Sequence, residues 1–292
     1  MADKPEPARL TTGDTSRLTV GVVQANSGPD MHANMVRLQA AIRSAAEQGA
    51  QLVSLPETAH IMDMNRERLA ASVHDEEHDE GLAQLCVLAR ELQIYLHVGS
   101  LIVRAAGGKY ANRSFFIGPD GHIEARYDKI HLFDVELDGG EHYKESKHFE
   151  PGRRAVTVEA LGVKFGLSIC YDVRFPVLYR TLASEGATVL MVPAAFTRPT
   201  GEAHWHSLLR ARAIENGAYV IAAAQTGANG PDGRGGVRKT YGHSLVVSPW
   251  GDVLLDAGEE PGVHIVKLDM AEVAKVRRRI PSLTHDRPFM IN

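Results

Sequence analysis

The feature that most narrowly limits the fold is an alternation of short apolar runs, rich in β-branched residues, with longer segments whose apolar residues recur every three or four positions. The first pattern occurs at 18–25, 51–57, 94–103, 163–170 and 188–196, and the second at 30–47, 81–93, 176–186 and 201–217. Short β-branched runs are typical of buried strands, and helical spacing indicates amphipathic helices that cover a sheet. The sequence therefore predicts an α/β fold with helices on the outer faces of its sheets.

The chain also contains signals for antiparallel pairing. The turn sequence GPDG at 118–121 separates two strand-like segments, which predicts a β-hairpin. Further strand-like segments lie at 218–225, 241–249 and 262–269, with a turn at 249–252. Because hairpins interrupt the alternation of strands and helices, both strand directions should occur in the sheets. This pattern favours a layered enzyme over a binding module with one sheet.

Composition limits the partners and the compartment. The 292 residues carry a formal net charge of -4, which gives no reason to expect nucleic acid or an anionic membrane as a partner. No apolar run approaches the ~20 residues needed to span a bilayer, and residues 1–17 lack the apolar core of a secretory signal. We expect a cytoplasmic protein with a flexible leader at 1–17 that acts on a small molecule. The two cysteines, Cys86 and Cys170, are expected to remain thiols.

Three chemically useful side chains follow predicted strands. Glu57 and Cys170 end apolar runs, and Lys129 follows the second arm of the hairpin. Side chains at the carboxyl ends of strands converge on a cleft in layered α/β folds, so distant residues can meet there. A carboxylate can then take the proton of a thiol nucleophile, while an ammonium and the Tyr171 N–H stabilise an oxyanion. Taken singly, each residue is more often structural: a small buried hydrophobe, a capping carboxylate or a surface lysine.

A family resemblance joins these three positions. The segments LPE at 55–57, YDKIHLFD at 127–134 and ICYDVRFP at 169–176 resemble, in that order, the three signatures of the nitrilase superfamily of carbon–nitrogen hydrolases. The resemblance covers residues 18–288, which we interpret as one carbon–nitrogen hydrolase domain. It implies a four-layer αββα sandwich with two mixed β-sheets covered by helices. It also implies a homodimer or a larger homo-oligomer.

The resemblance further implies a reaction. It assigns a catalytic triad to Glu57, Lys129 and Cys170, which would act without a metal or organic cofactor. The segments at 201–225 and 241–254 are similar to the branch of deaminated glutathione amidases and ω-amidases, which implies a small primary amide that also carries a carboxylate. N-carbamoyl amide hydrolases and nitrilases use the same triad and remain alternatives. Retention of the whole triad disfavours a non-catalytic scaffold.

A second glutamate is expected to position the substrate amide or the hydrolytic water. Similarity of KESKHFEPG at 144–152 to the family assigns this role to Glu145, with Glu136 and Glu141 as nearby competitors. Where related chains often have a glutamate after RFP, this chain has Val177. That difference borders the region that sets substrate size.

Further substrate contacts are expected near the ends of two strands. Arg174 or Arg198 is a candidate to receive a substrate carboxylate, although an internal ion pair between Asp172 and Arg174 is at least as reasonable. In the family, the helix that contains HWH at 204–206 lines the pocket; the alternative is packing beneath the substrate. The candidate substrate-binding residues are Tyr171, Arg174, Phe196, Thr197, His204 and Trp205.

Other motifs are expected to be structural. HDEEHDE at 74–80 places two histidines four residues apart, but the zinc pattern HExxH needs a glutamate directly after the first. We expect a solvated loop or helix start there, not a metal site, and a metallohydrolase that uses the histidines is a third alternative function. Cys86 is expected to be a buried hydrophobe, and the glycine-rich segment 227–240 a mobile loop. Arginines within 208–215 are expected to pair with Glu215 or to contact another subunit.

Overall fold

The computed structural model describes residues 16–63, 65–105, 107–137, 141–231 and 237–291. Their strands form two six-stranded sheets and two small hairpins. No helix in these ranges has the length and apolar character needed to cross a bilayer. The first strand begins at Arg17, the last residue of the predicted leader, and residues 1–15 of that leader lie outside the described part of the chain.

The first sheet has three parallel strands at its centre. It consists of β1 (Arg17–Gln24), β2 (Leu52–Ser54), β3 (Tyr95–Arg104), β4 (Tyr110–Ile117), β5 (Ile123–Asp128) and β16 (Gly262–Asp269). The order is β16-β1-β2-β3-β4-β5, in which β1, β2 and β3 are parallel and the remaining strands pair antiparallel. The hairpin predicted at GPDG is confirmed as β4–β5.

The second sheet repeats this arrangement. It consists of β8 (Val156–Ala160), β9 (Val163–Leu167), β10 (Val189–Met191), β11 (Tyr219–Ala222), β14 (Leu245–Val247) and β15 (Val253–Asp256). The order is β15-β14-β11-β10-β9-β8, again with three parallel central strands, β9, β10 and β11, between antiparallel neighbours. Both sheets are therefore mixed, as predicted, and β8 is a strand that the apolar patterns did not predict.

Helices cover the outer face of each sheet. The described residues form six α-helices: α1 (Met31–Glu47), α2 (Arg66–Ser72), α3 (Glu80–Leu92), α4 (Pro176–Ser184), α5 (Arg198–Asn216) and α6 (Ala271–Arg279). Leu38 of α1 and Leu85 of α3 are buried with residues of the first sheet, and Leu182 of α4 and Leu209 of α5 with residues of the second. Cys86 is only partly buried beside the first of these cores.

The inner faces of the two sheets pack on one another. The rings of Phe116 in β4 and Phe165 in β9 approach with their centroids 5.2 Å apart. Val20 and Leu52 of the first sheet belong to the same buried cluster as residues of the second sheet. The order of layers is thus helix, sheet, sheet, helix, which confirms the predicted four-layer αββα sandwich.

Two hairpins extend from the sheets near the residues predicted to be catalytic. They are β6 (Asp134–Leu137) with β7 (Glu141–Lys144), and β12 (Thr226–Pro231) with β13 (Val237–Tyr241). The strands of the second hairpin include the described residues of 227–240, so the expectation of a loop is wrong for those residues. Glycines break the apolar alternation that signals a strand, but backbone groups still pair, as between Ala228 and Lys239.

A β-bulge in β3 holds the segment that leads to Glu57. The pairing of β3 with β4 shifts between Val98 and Leu101. There, Ser100 forms hydrogen bonds of 2.9 to 3.2 Å with backbone groups of residues 56–59. Gly99 lies so close to this segment that a Cβ atom would be 2.0 Å from the Leu55 carbonyl oxygen. Only glycine permits this approach of the two chains.

Replacement of Gly99 by alanine should therefore destabilise the protein. We expect Gly99→Ala to lower the free energy of unfolding by about 1–3 kcal/mol, because the backbone must move to admit the methyl group. Urea unfolding of the two proteins measures this difference. Gly28→Ala is the matched control, since its Cβ would meet no atom within 4 Å. Equal losses in both variants would show that the Gly99 contact is not a constraint.

Candidate active site

Glu57 is a buried carboxylate that accepts hydrogen bonds from residues of both sheets. Its Oε1 accepts from Lys129 Nζ at 2.9 Å and Asn112 Nδ2 at 2.8 Å, and its Oε2 accepts from the Ala195 N–H at 2.7 Å. Burial disfavours the charged form, but the Lys129 charge and the hydrogen bonds outweigh it, so the pKa of Glu57 lies below its ordinary value. Glu57 is thus an anion at rest, in a position with little access to water.

Lys129 lies between two carboxylates. Its Nζ is 2.9 Å from Glu57 Oε1 and 3.0 Å from Glu145 Oε2, and its side chain is 3% exposed. Burial alone would lower the pKa of Lys129, but the charges of Glu145 and Glu57 raise it above its ordinary value. An ammonium has three N–H donors. Two carboxylates therefore leave it one donor for a third acceptor.

Asn112 on β4 joins the two carboxylates and was missed by the sequence analysis. Its side-chain Nδ2 donates to Glu57 Oε1 at 2.8 Å and lies 3.5 Å from Glu145 Oε1. Its main-chain carbonyl accepts from the main-chain N–H of Lys129 at 2.9 Å. Asn112 therefore fixes both the backbone and the charge partners of the lysine. A polar residue within the apolar strand YANRSFFIG was the available signal.

Cys170 stands at a strained turn directly after β9. Its φ of 49° is in the left-handed region, which costs an L-residue about 1–2 kcal/mol. Its N–H donates to the Pro193 carbonyl at 2.9 Å, and its thiol lies close enough to the Glu57 carboxylate for that charge to act on it. Burial first and the Glu57 charge second raise the pKa of the Cys170 thiol well above its ordinary value, against the opposing effect of Lys129. The thiol is therefore protonated at rest, beside the Glu57 carboxylate.

Asp172 holds this turn in place. Its Oδ2 accepts from the Tyr127 hydroxyl at 2.7 Å and the Ile169 N–H at 2.8 Å, and its Oδ1 lies 2.7 Å from His131 Nδ1. The suggested ion pair between Asp172 and Arg174 is wrong, because groups from the hairpin side of the fold satisfy this carboxylate. Those partners are more than forty positions away in the chain, so local spacing does not reveal them.

The turn after Cys170 also presents a backbone donor. Residues Cys170–Arg174 form a 3₁₀-helix whose first bond runs from the Asp172 N–H to the Ile169 carbonyl. The Tyr171 N–H precedes that bond and is not used by the helix. Together with the remaining Lys129 donor, it can serve the oxyanion of a carbonyl attacked by Cys170.

Of the three candidates for the accessory glutamate, Glu145 reaches the triad. Its Oε2 accepts from the Phe133 N–H at 2.6 Å and from Lys129 at 3.0 Å. Glu136, on the solvent side of β6, has a side chain that is 86% exposed and lies 3.8 Å from His142. The side chain of Glu141 lies outside the described part of the structure. The geometry thus favours Glu145 over Glu136.

Four of the candidate substrate-binding residues lie together beside the turn. The Arg174 guanidinium is 5.9 Å from the ring centre of Tyr171 and 5.4 Å from that of Phe196, and its Nη2 is 3.2 Å from Nδ1 of the exposed His204. The Tyr171 ring contacts Phe133 edge-on at 5.1 Å. These residues form an aromatic surface with one cation on it.

The other candidates lie behind this surface or are already paired. Trp205 is fully buried, with its ring 4.9 Å from that of Phe196 and its Nε1 donating to the His243 carbonyl at 2.8 Å. Thr197 is buried at the start of α5. Arg198, which we considered for a substrate carboxylate, pairs with the carboxylates of Glu202 and Glu259 at 3.0 Å each. Trp205 therefore supports Phe196 from behind.

Arg238 on β13 is a second cation that the sequence analysis missed. Its Nη2 donates to the Ala195 carbonyl at 2.9 Å, and its guanidinium lies 5.5 Å from the ring centre of Tyr143 on β7. Burial raises the pKa of Glu57, and the charge of Arg238 helps to lower it, with a smaller effect than those of Lys129 and Cys170. Arg238 lies in the glycine-rich segment 227–240, where the sequence predicts a mobile loop and not part of a binding site.

One group of three side chains among the described residues has the ligand types of a metal site. These are His206, His243 and Asp256, whose potential ligand atoms lie within 4.8 Å of one another. Each imidazole is 2.8 or 2.9 Å from a different oxygen of the carboxylate, so hydrogen bonds account for the arrangement without an ion. The segment 74–80 instead starts helices: Asp75 and Asp79 cap Glu76–His78 and α3, as the predicted helix start required.

Comparisons with known proteins agree with this geometry. The family model described as carbon–nitrogen hydrolase matches residues 19–278. The chain belongs to the carbon–nitrogen hydrolase family. It is 41% identical over 268 residues to a deaminated glutathione amidase of Synechocystis sp. PCC 6803, with 90% of this chain and 96% of the relative covered. It is 38% identical to the mouse omega-amidase NIT2, with 87% and 89% covered.

Solved structures extend the match to the fold. Saccharomyces cerevisiae Nit3, a member of branch 10 of the nitrilase superfamily, superposes with a TM-score of 0.81 and 31% identity, covering 94% of this chain and 97% of Nit3. The predicted membership of the nitrilase superfamily is therefore confirmed. As a carbon–nitrogen hydrolase, the chain is an enzyme that acts on carbon–nitrogen bonds other than peptide bonds.

The position of the thiol proton gives a testable pH dependence. The rate of Cys170 alkylation should still rise above the ordinary thiol pKa of about 8.5, because the pKa of Cys170 is raised. Glu57→Gln should shift this profile to lower pH, since it removes an anion and leaves the Lys129 charge to favour the thiolate. Mass spectrometry of the Cys170 peptide measures the rate, with Cys86 as an internal reference. An unchanged pH profile in Glu57→Gln would show that the Glu57 charge does not raise the pKa of Cys170.

Proposed function

We propose that this chain is an amidase that converts a small primary amide into an acid and ammonia through a thioester on Cys170. The observation that carries the proposal is the buried carboxylate of Glu57, which accepts hydrogen bonds from Lys129 and the Ala195 N–H and lies beside the Cys170 thiol. A thiol nucleophile, a proton acceptor and a cation are the groups that acyl transfer requires. The three come from different strand ends, so the fold brings them together.

The first half-reaction forms the thioester. Cys170 Sγ attacks the amide carbonyl carbon while its proton moves to Glu57. The oxyanion receives hydrogen bonds from the third Lys129 donor and the Tyr171 N–H. When the tetrahedral intermediate collapses, Glu57 returns the proton to the amide nitrogen, the C–N bond breaks and ammonia leaves. Glu57 is then again an anion beside an acylated cysteine.

The second half-reaction releases the acid. Glu57 takes a proton from water, the oxygen attacks the thioester carbon, and the proton passes to the departing sulfur. In this proposal Glu145 orients the water or the amide. The ion pair of Glu145 with Lys129 at 3.0 Å supports this role, because Glu145 is then a second carboxylate close to the triad. Glu57 remains the group that takes the thiol proton.

The substrate is proposed to be an amide with a carboxylate at its other end. Support comes from relatives named deaminated glutathione amidase and omega-amidase, which match nearly the whole chain. The rings of Tyr171, Phe133 and Phe196, which lie beside the turn after Cys170, suit the short carbon chain of such an amide. N-carbamoyl compounds and nitriles are the alternative substrate classes.

We further infer that the enzyme acts as a homo-oligomer in the cytoplasm. Ile214, Trp250 and Ile280 are large apolar side chains that are between 44% and 53% exposed, which is typical of a surface that another subunit covers. Both cysteines are free thiols, which suits a reducing compartment. Sedimentation velocity tests the oligomeric state, and a monomer at micromolar concentration would contradict it.

The reaction itself is tested by measuring ammonia release from a panel of primary amides, carbamoyl compounds and nitriles. We expect ammonia from amides that carry a carboxylate, and an acyl adduct on the Cys170 peptide by mass spectrometry. Cys170→Ala should reduce turnover by at least about 10⁴-fold, because no other nucleophile is in place. Cys86→Ala is the matched control and should retain full turnover. Residual turnover in Cys170→Ala near that of the wild type would reject the mechanism.

The role of Glu145 is tested by comparing two isosteric changes. Glu145→Gln should lower kcat by about 10²–10³-fold, since it removes a charge that holds Lys129. Glu136→Gln should leave kcat unchanged, because its side chain is exposed and remote from the triad. Thermal unfolding of both variants controls for loss of the fold. Equal kcat values in the two variants would exclude Glu145 from the reaction.

A further inference from the structure

Arg238 is a cation one peptide group away from the catalytic carboxylate. The Ala195 peptide joins them, because its N–H donates to Glu57 at 2.7 Å and its carbonyl accepts from Arg238 Nη2 at 2.9 Å. The Arg238 Nε is buried and has no hydrogen-bond partner among the described residues. A guanidinium has five N–H donors, and a buried donor without an acceptor costs free energy. The position of Arg238 therefore fits an acceptor that arrives with the substrate.

The charges around the triad require such a cation if the substrate is an anion. Glu57 and Glu145 carry two formal negative charges and Lys129 one positive charge, so this group is net negative with the Cys170 thiol protonated. An approaching carboxylate would be repelled by it. Lys129 cannot compensate, since both of its close partners are carboxylates. A further cation beside the triad, outside these pairs, is needed to bind an anionic substrate.

The other nearby arginines are less suited to this role. Arg198 already pairs with two carboxylates at 3.0 Å. The Arg174 guanidinium already has two contacts, with His204 Nδ1 at 3.2 Å from its Nη2 and with the Phe196 ring centre at 5.4 Å. Arg238 has no carboxylate partner among the described residues, and it contacts both the Ala195 carbonyl and the Tyr143 ring. These contacts orient its planar guanidinium between β13 and the hairpin that leads to Glu145.

We propose that Arg238 binds the substrate carboxylate and thereby selects amides with an anionic end. This inference rests on the proposed amidase function and adds a specificity residue to it. A guanidinium binds a carboxylate through two parallel N–H donors, which fixes its direction as well as its charge. An amide anchored in this way presents its other end to Cys170. The β12–β13 hairpin is then part of the substrate pocket.

The test compares two substrates with the same carbon chain, one with a charged carboxylate at its end and one with a neutral methyl ester there. They are the monoamide of butanedioic acid and the methyl ester of that monoamide, each assayed for ammonia release. Arg238→Ala should lower kcat/KM for the acid by about ten- to a hundredfold, the usual range for a charge-assisted hydrogen bond, mainly through KM. For the ester, the fall in kcat/KM should be at least about threefold smaller than for the acid, because only the contact of Arg238 with Ala195 and its charge near Glu57 are lost. Arg238→Lys should recover only part of the loss, since it keeps the charge without the planar fork.

Lys239→Ala is the matched control. It removes a neighbouring cation whose side chain is exposed, and it should alter neither substrate. An equal loss for acid and ester in Arg238→Ala would show that Arg238 only supports Ala195 and Glu57, and would overturn the proposal. Loss of acid selectivity in Arg174→Ala alone would likewise overturn it. If the wild type releases ammonia from neither substrate but does so from carbamoyl compounds or nitriles, the proposed function fails instead.

Discussion

The site depends on one buried carboxylate. A carboxylate removed from water must be compensated by donors and cations, and Glu57 finds these in Lys129, Asn112 and the Ala195 N–H. Asn112 and Lys129 come from the β4–β5 hairpin of the first sheet and Ala195 follows β10 of the second, so the two sheets must pack correctly before Glu57 can be ionised. The same requirement places the Cys170 thiol beside the carboxylate. Stability of the sandwich and competence of the site are therefore linked.

The fold supports this cluster with local devices that each cost some stability. The bulge at Gly99 and Ser100 brings β3 against residues 55–59. At Cys170, a left-handed backbone is held by four acceptor contacts of Asp172. Strained positions of this kind persist only where surrounding contacts determine them, and they concentrate at functional sites. At Cys170 the strained backbone carries a thiol that interacts electrostatically with both Glu57 and Lys129.

Sequence patterns predicted the layers and the triad more completely than the surroundings of the triad. Glu57, Lys129 and Cys170 stand at strand ends in recognisable motifs, and periodicity revealed the strands that carry them. Asn112 and Arg238 are single polar residues whose importance arises only from tertiary contacts. The partners of Asp172 could not be predicted either, because Tyr127 and His131 lie more than forty positions away in the chain. The glycine-rich β12–β13 hairpin has no apolar alternation, so backbone pairing alone identifies it.

Before substrate binds, Cys170 is a neutral thiol and Glu57 is an anion. Infrared difference spectra between the wild type and Cys170→Ala locate the thiol proton directly, since the S–H stretching band of Cys86 cancels. We expect an S–H band of Cys170 at neutral pH. We expect no carboxylic acid band from Glu57, so Glu57→Gln should remove none. Absence of the S–H band, together with a protonated Glu57, would show a thiolate paired with Lys129 and would contradict the account.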